Sequence, residues 1–531
     1  MAQAKILCDP VLVVGGGPVG LSTAIFLTSQ GVPVVLVEKH PGSAPHPRAV
    51  GWTPRTMELF ASVGLGDQIP QAEVSASKPR RVRVQTLAAE WTEEMAWTPG
   101  AAPPSKRFSP HTNARMAQDE LEPLLRQRAR ELGADLRMST QLLHLEQDTS
   151  GVTAEIRGAD GTTSQLRASY VVAADGSRSP VREALGIRRS GRGTVAPVRS
   201  VLFRAALPPQ LRTRVDEARR QAIVQFAVEQ PDLRGLLGEY PDGRFIFMFQ
   251  DDEERDEVTL QRGVRQAIGI ADLSVEIVAT GRWEVSGLIA DRFSEGRVFL
   301  AGDAAHTLPP NRGGFGANTG IDDANNLAWK LAAVLSGRSA PELLDSYDAE
   351  RRPIAWLRHD QIFARPDHAY AGGGTSIIFD DDAMEFGQLY RSSIVLAAGP
   401  ELPAAQRPDQ WRGQPGTRAP HLWLLRGEER ISSLDLYQRG WLVLSEDERW
   451  FAAAAALGID HVRIGIDVTA SEAGSFAGAF GLSASGAVLV RPDGYIAWRS
   501  AELADHPEEE LHAALRQAAV LASNAAVAPN A

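Results

Sequence analysis

The sequence predicts an α/β protein of two or three domains, and three observations carry that reading. Its 531 residues are too many for one hydrophobic core. Near the N-terminus, an apolar β-branched run leads into clustered glycines, a helical pattern and a second apolar run, as in a helix crossing between parallel strands. Two later segments repeat the order of buried strand, glycine-containing turn and helix.

Composition narrows the possible functions. Hydrophobic residues make up 44% and charged residues 23% of the chain, as in an ordinary folded protein. A formal net charge of −11 opposes a nucleic-acid surface, because a polyanion is repelled over most approaches. No apolar run reaches the roughly 18 residues that cross a bilayer, and no signal peptide is expected. Cys8 is the only cysteine, so an internal disulfide, a CxxC pair and a cysteine zinc cluster are all impossible. A cytoplasmic location is the expectation.

The N-terminal unit assigns a task to each residue. Val11-Leu12-Val13-Val14 forms a buried strand, Gly15-Gly16-Gly17-Pro18-Val19-Gly20 turns it, and a helix follows through Leu21, Ala24, Ile25 and Leu27 to Gly31. Val34 to Val37 makes the second strand, with Glu38 and Lys39 at its end. Gly15 permits the tight turn, Gly17 lets backbone approach a pyrophosphate, and Gly20 allows close helix–strand packing. The helix start at Pro18 offers unpaired N–H groups and a partial positive charge to that anion. Glu38 accepts hydrogen bonds from an adenosine ribose. This Rossmann-type unit leaves FAD and NAD both open.

The later segments make that choice. Tyr170-Val171-Val172-Ala173-Ala174-Asp175-Gly176 runs into a helix near Pro180. Arg297-Val298-Phe299-Leu300-Ala301-Gly302-Asp303-Ala304-Ala305-His306 precedes Pro309, Pro310, a turn with Gly313, Gly314 and Gly316, and a helix expected from about Ile321 to Leu335. With Pro47-Arg48-Ala49, Pro54 to Leu59, Tyr347 to Pro353, Tyr390 to Ser393 and Leu489 to Gly494, these segments resemble the class A flavoprotein aromatic hydroxylases, and most nearly the polyketide-tailoring branch. The likeness spans nearly the whole chain. One departure stands out: Pro310-Asn311-Arg312-Gly313-Gly314 is one residue longer than the usual Pro-x-Gly-Gly pattern.

The resemblance implies FAD as cofactor, reduced by NADPH or NADH. It implies that Asp303 holds the ribityl hydroxyls beside Gly302 and Pro309, and that Asp175 lies near the pyrophosphate. Arg48 would sit beside the isoalloxazine, Gln118 near the cofactor, and the amides around Ala317 and Asn318, with Gly314 and Gly316, would steady charge on the reduced ring. Arg48 and Asn318 are therefore the candidates for the chemistry itself. His306 is expected to support packing rather than act as a base, and Arg351 and Arg352 to join ion pairs.

The implied architecture is a Rossmann-type FAD-binding domain over 1–75, 110–185 and 285–395, with a β-sheet substrate domain over 76–109 and 186–284. A thioredoxin-like domain without CxxC is expected over 410–531. Val82 to Gln85 and Arg244 to Phe249 are expected as strands of the substrate sheet. Phe245 and Phe247 fall on one face, and with Phe226 and Trp97 they are candidate substrate contacts, although a period-two aromatic stripe also suits a core.

The implied reaction passes a hydride from nicotinamide to flavin, captures O₂ as a C4a-hydroperoxide and hydroxylates an electron-rich aromatic ring, with no metal. The same cofactor motifs allow Baeyer–Villiger insertion, oxidative rearrangement or antibiotic inactivation. A non-catalytic flavin-binding protein is the alternative from another class. The aromatic substrate's identity and the oligomeric state are left open.

Overall fold

The computed structural model describes residues 6–72, 80–96, 108–221, 223–310, 315–364, 377–437, 440–472 and 474–522. Trp97, Gly313 and Gly314 lie outside them, as does most of the long turn after Pro310.

The first sheet is ordered Ser294–Glu295, Val298–Leu300, Tyr170–Ala173, Val11–Val14, Val34–Glu38, Asp135–Met138. Its last five strands are parallel; the Ser294–Glu295 edge is antiparallel. Val11–Val14 and Tyr170–Ala173 are buried throughout, the continuous apolar reading of a parallel strand covered on both faces. Helix Pro18–Ser29 crosses from the first strand to the second and packs against helices Phe315–Leu335 and Gln118–Glu131. The Phe315–Leu335 helix begins six residues before the expected Ile321, so Gly316, Ala317 and Asn318 lie in its first turn. Glycines depress helix propensity, which hid this start from a sequence reading.

An eight-stranded sheet runs His306–Thr307, Val275–Ala290, Arg189–Ala205, Phe245–Phe249, Arg234–Glu239, Ile223–Glu229, Arg80–Val84, Trp91–Ala96. Residues on either side of the flavin-motif strands in sequence thus share one sheet. Helices Pro209–Arg220 and Glu257–Ile268 cover one of its faces. Phe226, Phe245, Phe247 and Phe249 are buried on that face among Leu211, Val215, Leu260 and Val264. This corrects the pocket expectation: Phe226, Phe245 and Phe247 form the core of this layer, because period two sends every second residue to the helix side.

The C-terminal segment holds a sheet ordered Asp460–Arg463, Leu442–Ser445, Ala487–Val490, Ile496–Ser500. The first pair is parallel and the others antiparallel. Helix Glu448–Ala456 links the parallel pair and packs beside Pro507–Ala519, giving the thioredoxin-like arrangement.

Candidate flavin site

Three motifs converge on the start of helix Pro18–Ser29. Gly15 has φ +109°, and a Cβ there would lie 2.3 Å from the Ala174 carbonyl oxygen, beside Asp175-Gly176. A Cβ on Gly20 would lie 1.9 Å from the Gly15 oxygen. Val19 packs against Gly302 and Gly320, where added Cβ atoms would come within 2.8 and 2.5 Å of its methyl carbon. Gly17 differs: its Cβ would meet nothing within 4 Å. Pro18 opens the helix, so the first-turn N–H groups face that open space. Glu38 closes the acid end, its Oε2 accepting from the Gly16 amide at 2.7 Å and its Oε1 from the His40 amide at 2.8 Å. Lys39 is exposed beside it.

Asp175 accepts from the Val181 amide at 3.2 Å through Oδ2, while Oδ1 is buried with no hydrogen-bond partner among the described residues. Burial pushes its carboxyl above the usual range, although hydrogen bonds from Ser179 and Val181 work against it. A buried lone pair without a donor is costly, and a ligand hydroxyl satisfies it. Gly176, at φ +87°, leaves open space beside it. Asp303 is half-buried in the turn from Gly302 to Ala304, and a Cβ on Gly316 would lie 3.9 Å from its Oδ1. Pro309 is buried nearby in sequence. This set of donors, acceptors and open backbone fits an FAD.

Gln118 holds the neighbouring loop. Its amide donates to the Ala49 carbonyl at 2.9 Å, and its Oε1 accepts from the Arg48 and Ala49 amides at 3.4 Å each. The Arg48 side chain is exposed. The Asn318 side chain points elsewhere: Oδ1 accepts from the Thr53 amide at 3.1 Å and from the Thr56 hydroxyl, and Nδ2 donates to the Gly51 carbonyl at 3.1 Å. It clasps the Phe315–Leu335 helix to the start of helix Pro54–Ser62, leaving only its backbone to face a ring. Two features escaped the sequence reading. One is Asp323, buried beneath Gly302; adjacent acids between Ile321 and Ala324 were the available signal. The other is His46, whose Nε2 lies 3.0 Å from Ser200 Oγ. Burial pushes the His46 imidazole below its ordinary value.

That contact identifies the second face of the large sheet. His46 lies over Ser200 and Gly281, and Tyr240 donates its hydroxyl to the Pro47 carbonyl at 3.0 Å. The loop carrying Arg48 therefore crosses the sheet face opposite the phenylalanine core. By alternation with that core, this face presents Leu202, Ala227, Leu236, Ile246 and Met248. Arg81 lies at its rim, its guanidinium donating to Gln225 Oε1 at 2.9 Å.

Fold and site together define a flavoprotein monooxygenase with FAD as cofactor. The chain belongs to the FAD-binding aromatic-ring hydroxylase family: residues 9–361 match the FAD binding domain, and residues 412–519 match the aromatic-ring hydroxylase C-terminal domain. It is 40% identical to 4-methyl-5-nitrocatechol 5-monooxygenase from a Burkholderia species, over 96% of this chain and 97% of that protein. It is 38% identical to tetracenomycin A2 monooxygenase-dioxygenase from Streptomyces glaucescens, over 96% of both chains. Among solved structures, aklavinone-11 hydroxylase in ternary complex with FAD and aklavinone matches with a TM-score of 0.84 and 34% identity, covering 98% of this chain and 100% of that one. No helix among the described residues is long and apolar enough to cross a membrane.

Proposed function

We propose that this enzyme hydroxylates a planar polycyclic phenol or quinone of the polyketide type, using NADPH or NADH and O₂. The observation that carries the reading is the apolar sheet face of Leu236, Ile246 and Met248, each half-buried, beneath the His46–Arg48 loop. A broad apolar wall suits a fused-ring substrate, and the rim pair Arg81–Gln225 offers polar groups to its oxygens. The relatives acting on tetracenomycin A2 and aklavinone support that class. When bound, FAD supplies two-electron transfer from the nicotinamide and the activation of O₂; one oxygen atom enters the ring and the other leaves as water.

The chain's own residues seat and order the reaction. Gly17 and the following helix start receive the pyrophosphate, Glu38 the adenosine ribose, and Asp175 and Asp303 the remaining hydroxyls. First-turn amides at Gly316 and Ala317 face the ring's polar edge. The sheet excludes water from the substrate. His46 is kept neutral by burial, and its Nε2 lies 3.0 Å from Ser200 Oγ, so the phenol proton reaches it through that hydroxyl: Ser200 passes its own proton to Nε2 and takes the one the phenol gives up.

A second reading rests on the nitrocatechol monooxygenase relative, and it places a single substituted ring on the same wall. One experiment separates the two. FAD-loaded protein is mixed anaerobically with NADPH or NADH, with and without polycyclic phenols or substituted catechols. Flavin bleaching accelerated by the polycyclic set, with a product heavier by one oxygen on aeration, supports the proposal. Acceleration by catechols alone selects the second reading, and bleaching with neither set refutes both. Where the product gains one oxygen, its structure distinguishes hydroxylation from ring insertion.

A further inference from the structure

Three sequence segments that play no part in the flavin seat meet in one buried cluster beneath it. They are Tyr347 to Pro353, Tyr390 to Ser393 and Leu489 to Gly494 with the following Tyr495. Asp323 is the inner end of the cluster. Its Oδ2 accepts from the Gly302 amide at 3.2 Å and lies 2.7 Å from His306 Nε2. Its Oδ1 accepts from Arg351 Nε at 2.7 Å. Arg351 also donates through Nη2 to the Thr319 carbonyl at 3.0 Å and through Nη1 to the Tyr390 hydroxyl at 2.7 Å. The Tyr390 ring stacks on Tyr495 of the C-terminal segment, with centroids 4.1 Å apart and planes 14° from parallel. One helical turn from Arg351, Tyr347 donates to the Leu300 carbonyl at 2.7 Å, holding the strand that enters the same turn.

These groups are almost wholly enclosed. Asp323 and Arg351 are 0% exposed, Tyr390 1% and Tyr495 6%. Burial raises the cost of charging Asp323, yet Arg351 and His306 outweigh it and hold the carboxyl down at about 2. The carboxylate stays ionised and keeps accepting from the Gly302 amide. Gly302 has φ +60°, and Asp303 follows it directly, so a shift of Asp323 moves the residue assigned to the ribityl chain. Arg351 simultaneously holds Thr319, in the second turn of the helix whose start faces the ring.

We propose that Arg351 and Tyr390 are positioning residues for the flavin, braced by Tyr495 of the C-terminal segment, and that they fix the Gly302–Asp303 turn through Asp323. The thioredoxin-like segment thereby acts on cofactor geometry without thiol chemistry. The inference rests on the assignment of Asp303 to FAD, which the experiment tests separately.

The test uses full-length apoprotein titrated with FAD, following flavin fluorescence, the visible absorption spectrum of the bound flavin and the melting midpoint. Tyr390→Phe keeps the ring stack and removes the acceptor of Arg351; Tyr495→Leu removes the stack and leaves the acceptor. Asp303→Asn is the control for the seat. Each positioning variant is expected to weaken FAD binding about three- to thirtyfold and to shift the flavin spectrum. In the double variant Tyr390→Phe/Asp303→Asn, the losses are expected to be less than additive, because both act through one turn. Should Tyr390→Phe fail to fold, Tyr495→Leu carries the same comparison. A lower melting midpoint with unchanged FAD affinity and spectrum reduces the cluster to structural support and overturns the inference, as do fully additive losses. Unimpaired binding by Asp303→Asn removes the seat itself, and the inference with it.

Discussion

Gly15, Gly17 and Gly20 stand within six residues of one another, and their surroundings separate folding from binding. A side chain at Gly15 or Gly20 drives into backbone, 2.3 Å from the Ala174 oxygen and 1.9 Å from the Gly15 oxygen. At Gly17 it enters open space. Gly17→Val is therefore expected to leave the apoprotein's melting midpoint nearly unchanged while weakening FAD at least about tenfold, roughly 1.4 kcal/mol. Gly20→Val should instead lower soluble yield and melting midpoint; thermal denaturation of the two apoproteins side by side checks the distinction. His46 gives a pH signature. Burial lowers its pKa, so at neutral pH it is an unprotonated acceptor, and activity that needs it falls as pH drops below the ordinary 6.5. A pH profile of kcat/KM should show that acidic limb, and His46→Gln should abolish it while lowering the plateau about 10²-fold.

Among the elements, the strand Phe245–Phe249 shows how an aromatic stripe is settled by what covers it. Phe247 is 0% exposed and meets Phe249 edge to face, at a centroid distance of 4.7 Å. Phe247→Ala should cost about 3–5 kcal/mol of stability in denaturant unfolding, with FAD affinity of the folded protein unchanged. A loss of substrate affinity without a loss of stability would return the stripe to the pocket. The Phe315–Leu335 helix makes the complementary case. Its glycine-rich start concealed three helical residues at the site, and Asn318, whose type suggested chemistry, is consumed in fastening that start to Thr53, Thr56 and Gly51.

Across the whole molecule, charge fastens the C-terminal segment to the flavin-binding part. Arg418 donates to Glu58 from Nε at 2.9 Å, and Arg491 donates to Glu350 at 2.6 and 2.9 Å. All four side chains are buried, so removing one partner leaves the other's charge under-compensated away from water. His421 lies close to Arg418 in this region; its Nδ1 is 2.9 Å from Ser432 Oγ, and its Nε2 is buried without a hydrogen-bond partner among the described residues. Burial, helped by Arg418, pushes its pKa down to about 4. The unfolded chain takes up this proton near 6.5 and the folded chain near 4, so this contribution to stability is present above 6.5 and is lost as pH falls toward 4. Across that interval the melting midpoint of the wild type should fall further on acidification than that of His421→Phe, which lacks the titrating group.

The sequence by itself determined the nucleotide-binding unit and the two flavin motifs. These are local: a buried strand, a glycine turn and a helix start lie within a dozen residues, and each imposes its own steric or hydrogen-bonding requirement. The strands Val82 to Gln85 and Arg244 to Phe249 were legible for the same reason. Arg351 and Arg352 were legible as ion-pairing residues; their partners, Asp323 and Asp348, were not. Only the tertiary structure decided which face of the large sheet meets the flavin loop, that Phe226, Phe245 and Phe247 turn away from it, and that Asp323 supports Gly302. Those outcomes depend on contacts between residues far apart in sequence, where periodicity gives two faces and packing alone chooses between them.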